Sequence, residues 1–264
     1  MVPPFGLLWH RLLRPLLGPL LGRSRPYRLA AATRENGLTT TLRLEPLKGS
    51  VPGYLPGQHL YLRFVGTSLP AEEHPFTISS SPSLPGALTV TIKAAGAYTN
   101  RLGELEPGAR ALVDAPHGGF SYLRWPDPRR HVFIAGGVGA TPFLSMLNWM
   151  ADRDSDRDLL FVWAVLSRDQ LFGLADLRSF GTTFPRLKVV VVAEGDPLWT
   201  GEKGRVDRAL LERLVPAYFG GAAFDWNSAV YAVSGPPPMR KAVLSALRGL
   251  GVAGRNLRVG RFAR

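Results

Sequence analysis

The sequence predicts two domains: an antiparallel β-barrel, then an α/β domain with a doubly wound parallel sheet. Three observations predict it. Up to about residue 124, short alternating runs are punctuated by Gly and Pro. Beyond about residue 130, longer apolar runs alternate with helical stretches. Where the second pattern begins, a glycine-rich turn separates the first apolar run from a helix, as a βαβ unit requires.

The barrel is assigned to residues 26–124. Its expected strands cover 27–30, 39–44, 59–64, 74–79, 87–93 and 111–114, with turns at Pro52-Gly53 and Pro56-Gly57. About six short strands at this spacing suit a small closed barrel. A helical stretch is expected over residues 100–104. The second domain is assigned to residues 125–264. Residues 131–135 form its first strand, and the apolar periodicity of 143–150 its first helix. Further strands are expected at 159–166, 187–193 and 229–233.

Composition narrows the chemistry. The chain has 264 residues, 45% hydrophobic and 20% charged, which is globular rather than disordered. It has no cysteine. That excludes a disulfide framework, a thiolate zinc site and a cysteine-held iron–sulfur cluster, and no metal site is expected. The net charge is +12, and residues 1–28 contribute five arginines and no acid. Affinity for anionic lipid or dinucleotide phosphate follows from such a balance. Nucleic acid is not an expected partner, because no recognition module is present.

Residues 1–25 form a basic amphipathic segment. Leucine pairs recur every four residues, but Arg11 and Arg14 interrupt them, and Pro15 and Pro19 break a helix. Each arginine would cost about 2.5–3.5 kcal/mol at a bilayer centre, so a span is not expected. The expectation is contact with a membrane surface, from a cytoplasmic location.

Several residues carry chemistry on their own terms. Thr77 offers a hydroxyl that donates or accepts. Gly96 leads to Thr99 at a helix start, where backbone N–H groups and a hydroxyl suit a pyrophosphate. Lys93 adds charge nearby, and Tyr98 can stack on an aromatic ring. Gly137 and Gly139 let backbone approach a phosphate ahead of Thr141-Pro142.

Three motifs stand in a fixed order. They are His74-Pro75-Phe76-Thr77 with Ser79-Ser80-Ser81-Pro82, then Gly136-Gly137-Val138-Gly139-Ala140-Thr141-Pro142, then Ser234-Gly235-Pro236-Pro237-Pro238-Met239. Together they resemble the ferredoxin–NADP reductase superfamily, most closely its ferric-reductase and NADPH-oxidase branch, over residues 26–264. The resemblance implies FAD on the barrel and NADPH on the sheet, with NADH as the alternative. His74, Pro75, Phe76 and Thr77 would line the flavin, with Thr77 at its N5 edge. Ile92, Lys93, Gly96, Tyr98 and Thr99 would hold the pyrophosphate and adenine side. Gly137, Gly139, Thr141, Pro142, Gly235, Pro236 and Met239 would hold the nicotinamide nucleotide. Ser234 stands where relatives have cysteine, beside the nicotinamide. Ser167-Arg168 would meet the adenosine ribose and its 2′-phosphate. Phe262 would cover the flavin face.

The implied activity is FAD-dependent NAD(P)H oxidoreduction with an external one-electron acceptor. Candidate acceptors are a haem-containing membrane subunit, a ferric chelate, a quinone or an oxygenase component. The alternative is a non-catalytic flavin- and nucleotide-binding subunit of a membrane redox complex.

Overall fold

The computed structural model describes residues 24–126, 129–153 and 156–260. Of the sequence expectations, Phe262 and residues 1–23 of the basic segment lie outside them. The barrel strands are β1 (Arg25–Arg34), β2 (Thr39–Pro46), β3 (His59–Val65), β4 (His74–Thr77), β5 (Leu88–Lys93) and β6 (Arg110–His117). A four-residue helix, α1 (Ala97–Asn100), falls between β5 and β6. The expected 100–104 helix is thus a short α turn that starts earlier, followed by a separate 3₁₀ turn at Leu102–Glu104.

The strands run in the order β4-β3-β6-β1-β2-β5, all paired antiparallel. An antiparallel bridge between Ile78 and Val90 ties the β4 end of the sheet to β5 and closes it. Alternation decides which side chains point inward. In β3, Leu60, Leu62 and Phe64 are buried between half-exposed neighbours. They join Tyr27, Leu29, Leu42, Leu44 and Val90 in one core, each contributing roughly 1.5–3 kcal/mol by burial.

The second half contains β7 (Arg130–Gly136), α2 (Thr141–Ala151), β8 (Asp158–Val165), α3 (Leu174–Thr183), β9 (Leu187–Ala193) and β10 (Glu202–Lys203). It continues with α4 (Arg208–Phe219), β11 (Ala229–Ser234), α5 (Pro237–Gly249) and β12 (Leu257–Val259). All six strands are parallel, in the order β10-β9-β8-β7-β11-β12. Helices cover both faces, which is why the strands read as continuous apolar runs. Phe133 and Ala135 pack with Phe143 and Met146 of α2 on one face. Val132 and Ile134 pack with Leu211 of α4 and Val243 of α5 on the other. Sequence periodicity missed β10 and β12, which have only two and three residues and no pattern to read.

The two halves meet along α2. Ser145, fully buried, donates from Oγ to the Ser80 carbonyl at 2.6 Å and accepts from the Gly57 N–H at 3.4 Å. Ser81 Oγ donates to Asp152 Oδ2 at 2.7 Å, and Asn36 Nδ2 donates to the Leu171 carbonyl at 3.0 Å. The serine run after His74–Thr77 therefore forms part of the seam.

Ser145→Ala leaves the buried Gly57 N–H without its side-chain partner and the Ser80 carbonyl with the Tyr54 hydroxyl alone, so it should cost about 1–3 kcal/mol. Ser81→Ala, in a half-open pair, should cost less. Urea unfolding of the two variants checks the order; equal midpoints would show that the Ser145 bonds hold nothing together.

Candidate functional site

Two groups of predicted residues come together, one at the edge of each half. On the barrel, His74, Pro75, Phe76 and Thr77 are half-buried along β4, with Thr77 opposite His59 and His74 opposite Leu62. The His74 ring lies on Tyr98, with centroids 4.1 Å apart at 34°. The motif on β4 and the Gly96–Thr99 segment thus share one surface. Tyr98 is 8% exposed and belongs to the barrel core; burial raises its hydroxyl above the ordinary tyrosine range, and Glu72 adds to this. Its ring is therefore committed to His74 and the core, and an incoming adenine would need another seat. Ile92 is also core, so only its backbone is available, while Lys93 stays half-exposed at the end of β5.

The loop before α1 is already shaped. Thr99 Oγ1 accepts from the N–H groups of Ala95 (2.9 Å) and Gly96 (3.1 Å). No atom lies within 4 Å of where a Cβ on Gly96 would stand, so the backbone there is open. Lys93 and the open backbone at Gly96 suit a bound pyrophosphate, whereas the Ala95 and Gly96 N–H groups are taken by Thr99 and His74 Nε2 lies 3.0 Å from Glu72 Oε2.

The second group stands at the carboxyl ends of β7 and β11. The strand order reverses between these two, which makes a crevice at a topological switch point. Gly137 has φ +52°, a left-handed value that only glycine adopts readily, and open space beside it. Its carbonyl accepts from Trp163 Nε1 at 2.9 Å. Gly139 has a packing role: a Cβ there would stand 2.8 Å from Gly235 N and Cα, so the glycine lets two turns touch. Met239 and Pro236 pack against Gly136, which admits no Cβ either. Thr141 is buried, and its Oγ1 donates to the Val138 carbonyl at 3.0 Å, holding the turn at the start of α2; Pro142 is buried in that first turn. Ser234 is fully buried, and its hydroxyl has no hydrogen-bond partner among the described residues. The Gly137–Ala140 turn also packs against β5. That contact brings the switch point up to the barrel strand bearing Ile92 and Lys93.

Ser167 and Arg168 follow β8, beside this crevice. Arg168 is held by Asp196: its N–H donates to Oδ2 at 3.2 Å, and its Nε lies 3.5 Å from the same oxygen. The Asp196 side chain is 7% exposed, and no sequence motif points to it. The signal that finds it is parallel pairing of β8 and β9, which puts the turns after both strands at one edge.

A barrel with an open-backboned loop, joined along α2 to a parallel sheet with a crevice at its switch point, offers one candidate nucleotide site on each half. Residues 30–108 match the family model described as an FAD-binding domain, and residues 133–245 the model described as an oxidoreductase NAD-binding domain. The chain belongs to the ferredoxin–NADP reductase superfamily, its barrel being the FAD-binding half and its sheet the NAD-binding half. A glycine betaine monooxygenase reductase subunit of Chromohalobacter salexigens is 32% identical over 184 residues, 67% of this chain and 47% of that protein. A stachydrine N-demethylase reductase subunit of Rhizobium meliloti is 31% identical over 243 residues, 86% of this chain and 64% of that protein. The chain thus spans about half to two thirds of these relatives. Among solved structures, a ferredoxin NADP⁺ reductase from Neisseria gonorrhoeae with bound FAD and NADP superposes with a TM-score of 0.77. It is 16% identical, and the match covers 90% of this chain and 98% of that one.

Ser234→Ala removes a buried hydroxyl with no partner, so stability should hold or rise slightly. A lower melting temperature would mean that the hydroxyl is satisfied in solution. Gly139→Ala forces the two turns apart and should cost about 2–4 kcal/mol, read by denaturant melts.

Proposed function

We propose that the chain is the reductase of an electron-transfer system, passing electrons from NADPH by way of FAD to an external one-electron acceptor. The observation that carries this reading is the contact of the Gly137–Ala140 turn with β5, which brings the turn at the switch point to the barrel strand next to the β4 motif. When bound, FAD supplies two-electron acceptance from the nicotinamide and release one electron at a time.

The chain's own residues then bind, orient and exclude water. Thr77 presents its hydroxyl along the flavin edge from a strand fixed by pairing to β3. His74, Lys93 and Thr99 hold the pyrophosphate. Gly137 leaves room for the dinucleotide to approach the crevice, and Ser234 offers its unpartnered hydroxyl to the nicotinamide amide. Buried as it is, Ser234 meets a ligand only if the crevice opens between the two turns. Rate depends on alignment to near-attack distance, roughly 3–3.5 Å, rather than on any titrating group. Arg168 provides a forked cation for a 2′-phosphate, which favours NADPH over NADH. Asp196 tempers that preference by sharing the guanidinium.

The acceptor lies outside these 264 residues, since a chain without cysteine holds no cluster of its own. Relatives named as reductase subunits of a monooxygenase and an N-demethylase favour an oxygenase component. A haem-containing membrane subunit or a ferric chelate remains the alternative implied by the motifs. Among the described residues no helix is long and apolar enough to cross a membrane.

Anaerobic titration of the FAD-loaded protein with NADPH should bleach the flavin absorbance band at about one equivalent. A stable yellow spectrum would leave only a flavin-binding module. Arg168→Ala should raise the KM for NADPH about tenfold and leave that for NADH nearly unchanged. Equal losses for both would remove Arg168 from cofactor choice.

A further inference from the structure

We infer that the β1–β2 hairpin is a clasp between the two halves, in which Asn36 and Glu35 are positioning residues that set the switch-point turn against the barrel. This inference rests on the reading of the chain as a reductase and says what keeps its two sites in alignment.

The halves meet along α2, and a single line of contact leaves rotation about that line open. The hairpin makes a second contact. Asn36 Nδ2 donates to the Leu171 carbonyl at 3.0 Å, and the Gly173 N–H donates to Glu35 Oε2 at 3.2 Å. A cleft of about 520 Å³ is lined by members of both contacts, Ser81 and Asp152 of the seam and Glu35 and Gly173 of the clasp. The two contacts are thus separated by a cleft rather than joined by packed core.

The hairpin tip is shaped for this reach. The N–H groups of Glu35 and Asn36 both donate to the Thr39 carbonyl, at 2.9 and 3.4 Å, and Asn36 Oδ1 accepts from the Leu38 N–H at 2.9 Å. The Ala94 N–H donates to the Leu38 carbonyl at 2.7 Å, which ties the tip to the residue after β5.

On the far side the contact is carried inward. Phe172, between the two clasped residues, is buried, and its ring meets Trp163 of β8 edge-on, with centroids 4.9 Å apart. Trp163 Nε1 donates to the Gly137 carbonyl at 2.9 Å. Asn148 of α2 donates to Asp176 in the first turn of α3 at 3.0 Å, so this segment is anchored to the second half. The Gly137–Ala140 turn contacts β5, and β5 pairs with β2, the second strand of the hairpin. The path therefore closes on itself, from hairpin to Phe172, Trp163, the switch-point turn, β5 and back. A closed ring of contacts resists the hinge and shear motions by which packed domains shift.

Asn36→Asp separates the clasp from the turn, because it keeps the acceptor for the Leu38 N–H and loses the donor to Leu171. Hydrogen exchange read by mass spectrometry on the flavin-free full chain reports position without catalysis. The variant should speed exchange across residues 136–141 about fivefold and leave β3 unchanged. In the FAD-loaded chain it should slow flavin reduction at saturating NADPH about five- to tenfold, with FAD affinity and the KM for NADPH nearly unchanged. Glu35→Ala should do the same in both measurements, whereas Glu35→Gln, which still accepts, should match the unmodified chain. Unchanged exchange at 136–141, or an unchanged rate, in both Asn36→Asp and Glu35→Ala would overturn the inference, as would a loss of FAD affinity in both. No flavin reduction in the unmodified chain would overturn the reductase reading instead, and exchange at 136–141 would still decide whether the clasp holds the turn.

Discussion

The structure depends on one close approach of backbone. Gly139 and Gly235 touch where β7 and β11 end, and neither position has space for a side chain. These strands are neighbours in the sheet yet lead away in opposite directions, so their turns must diverge from a common edge. Bringing the turns into contact narrows the crevice there and buries Ser234. It also fixes the start of α2, whose first turn is held by Thr141, and the start of α5, whose Met239 lies over Gly136. This edge of the crevice is thus built mainly from backbone.

The same helix then couples that edge to the barrel. The N-terminal end of α2 stands at the switch point, and its middle holds the Ser80 carbonyl through Ser145. A shift of α2 would therefore move the crevice and the seam together. Alignment of two cofactors held on separate halves needs such a shared element, because a misplacement of about 1 Å can cost a hundredfold in rate. The serines after the β4 motif serve this coupling: Ser80 and Ser81 meet α2 and its end, while Ser79 bonds the hydroxyls of Thr89 and Thr91 on β5.

Much of the fold was legible because it is local. Alternation marked Leu60, Leu62 and Phe64 as inward, and continuous apolar runs marked β7, β8 and β11 as covered on both faces. The motifs marked the segments that gather at the seam. What stayed hidden depends on tertiary pairing. Glu202–Lys203 becomes a strand only because β9 lies beside it. Asp196 meets Arg168 across 28 positions of chain because parallel pairing of β8 and β9 aligns their ends. Tyr98 reads as a free aromatic in sequence and proves to be part of the barrel core, and the contact of Gly139 with Gly235 joins turns about a hundred positions apart.

Charge follows the same logic of position. Several arginines of the second half are matched locally, as in Arg205 with Glu194, Arg208 with Glu212 and Arg213 with Glu202. Beyond Asp225 the chain has seven cations and no acid. Two of them, Arg240 and Lys241, follow directly on the first turn of α5, next to the Ser234–Pro236 turn. Cations near a helix N-terminus oppose the helix dipole, at a cost of about 0.3–1 kcal/mol each. Here they add to the positive end of that dipole, and Arg240 Nη1 donates to the Gly260 carbonyl at 3.1 Å. The buried, unpartnered Ser234 ends the strand just ahead of the same helix, so both departures from good folding physics fall at the turn between β11 and α5.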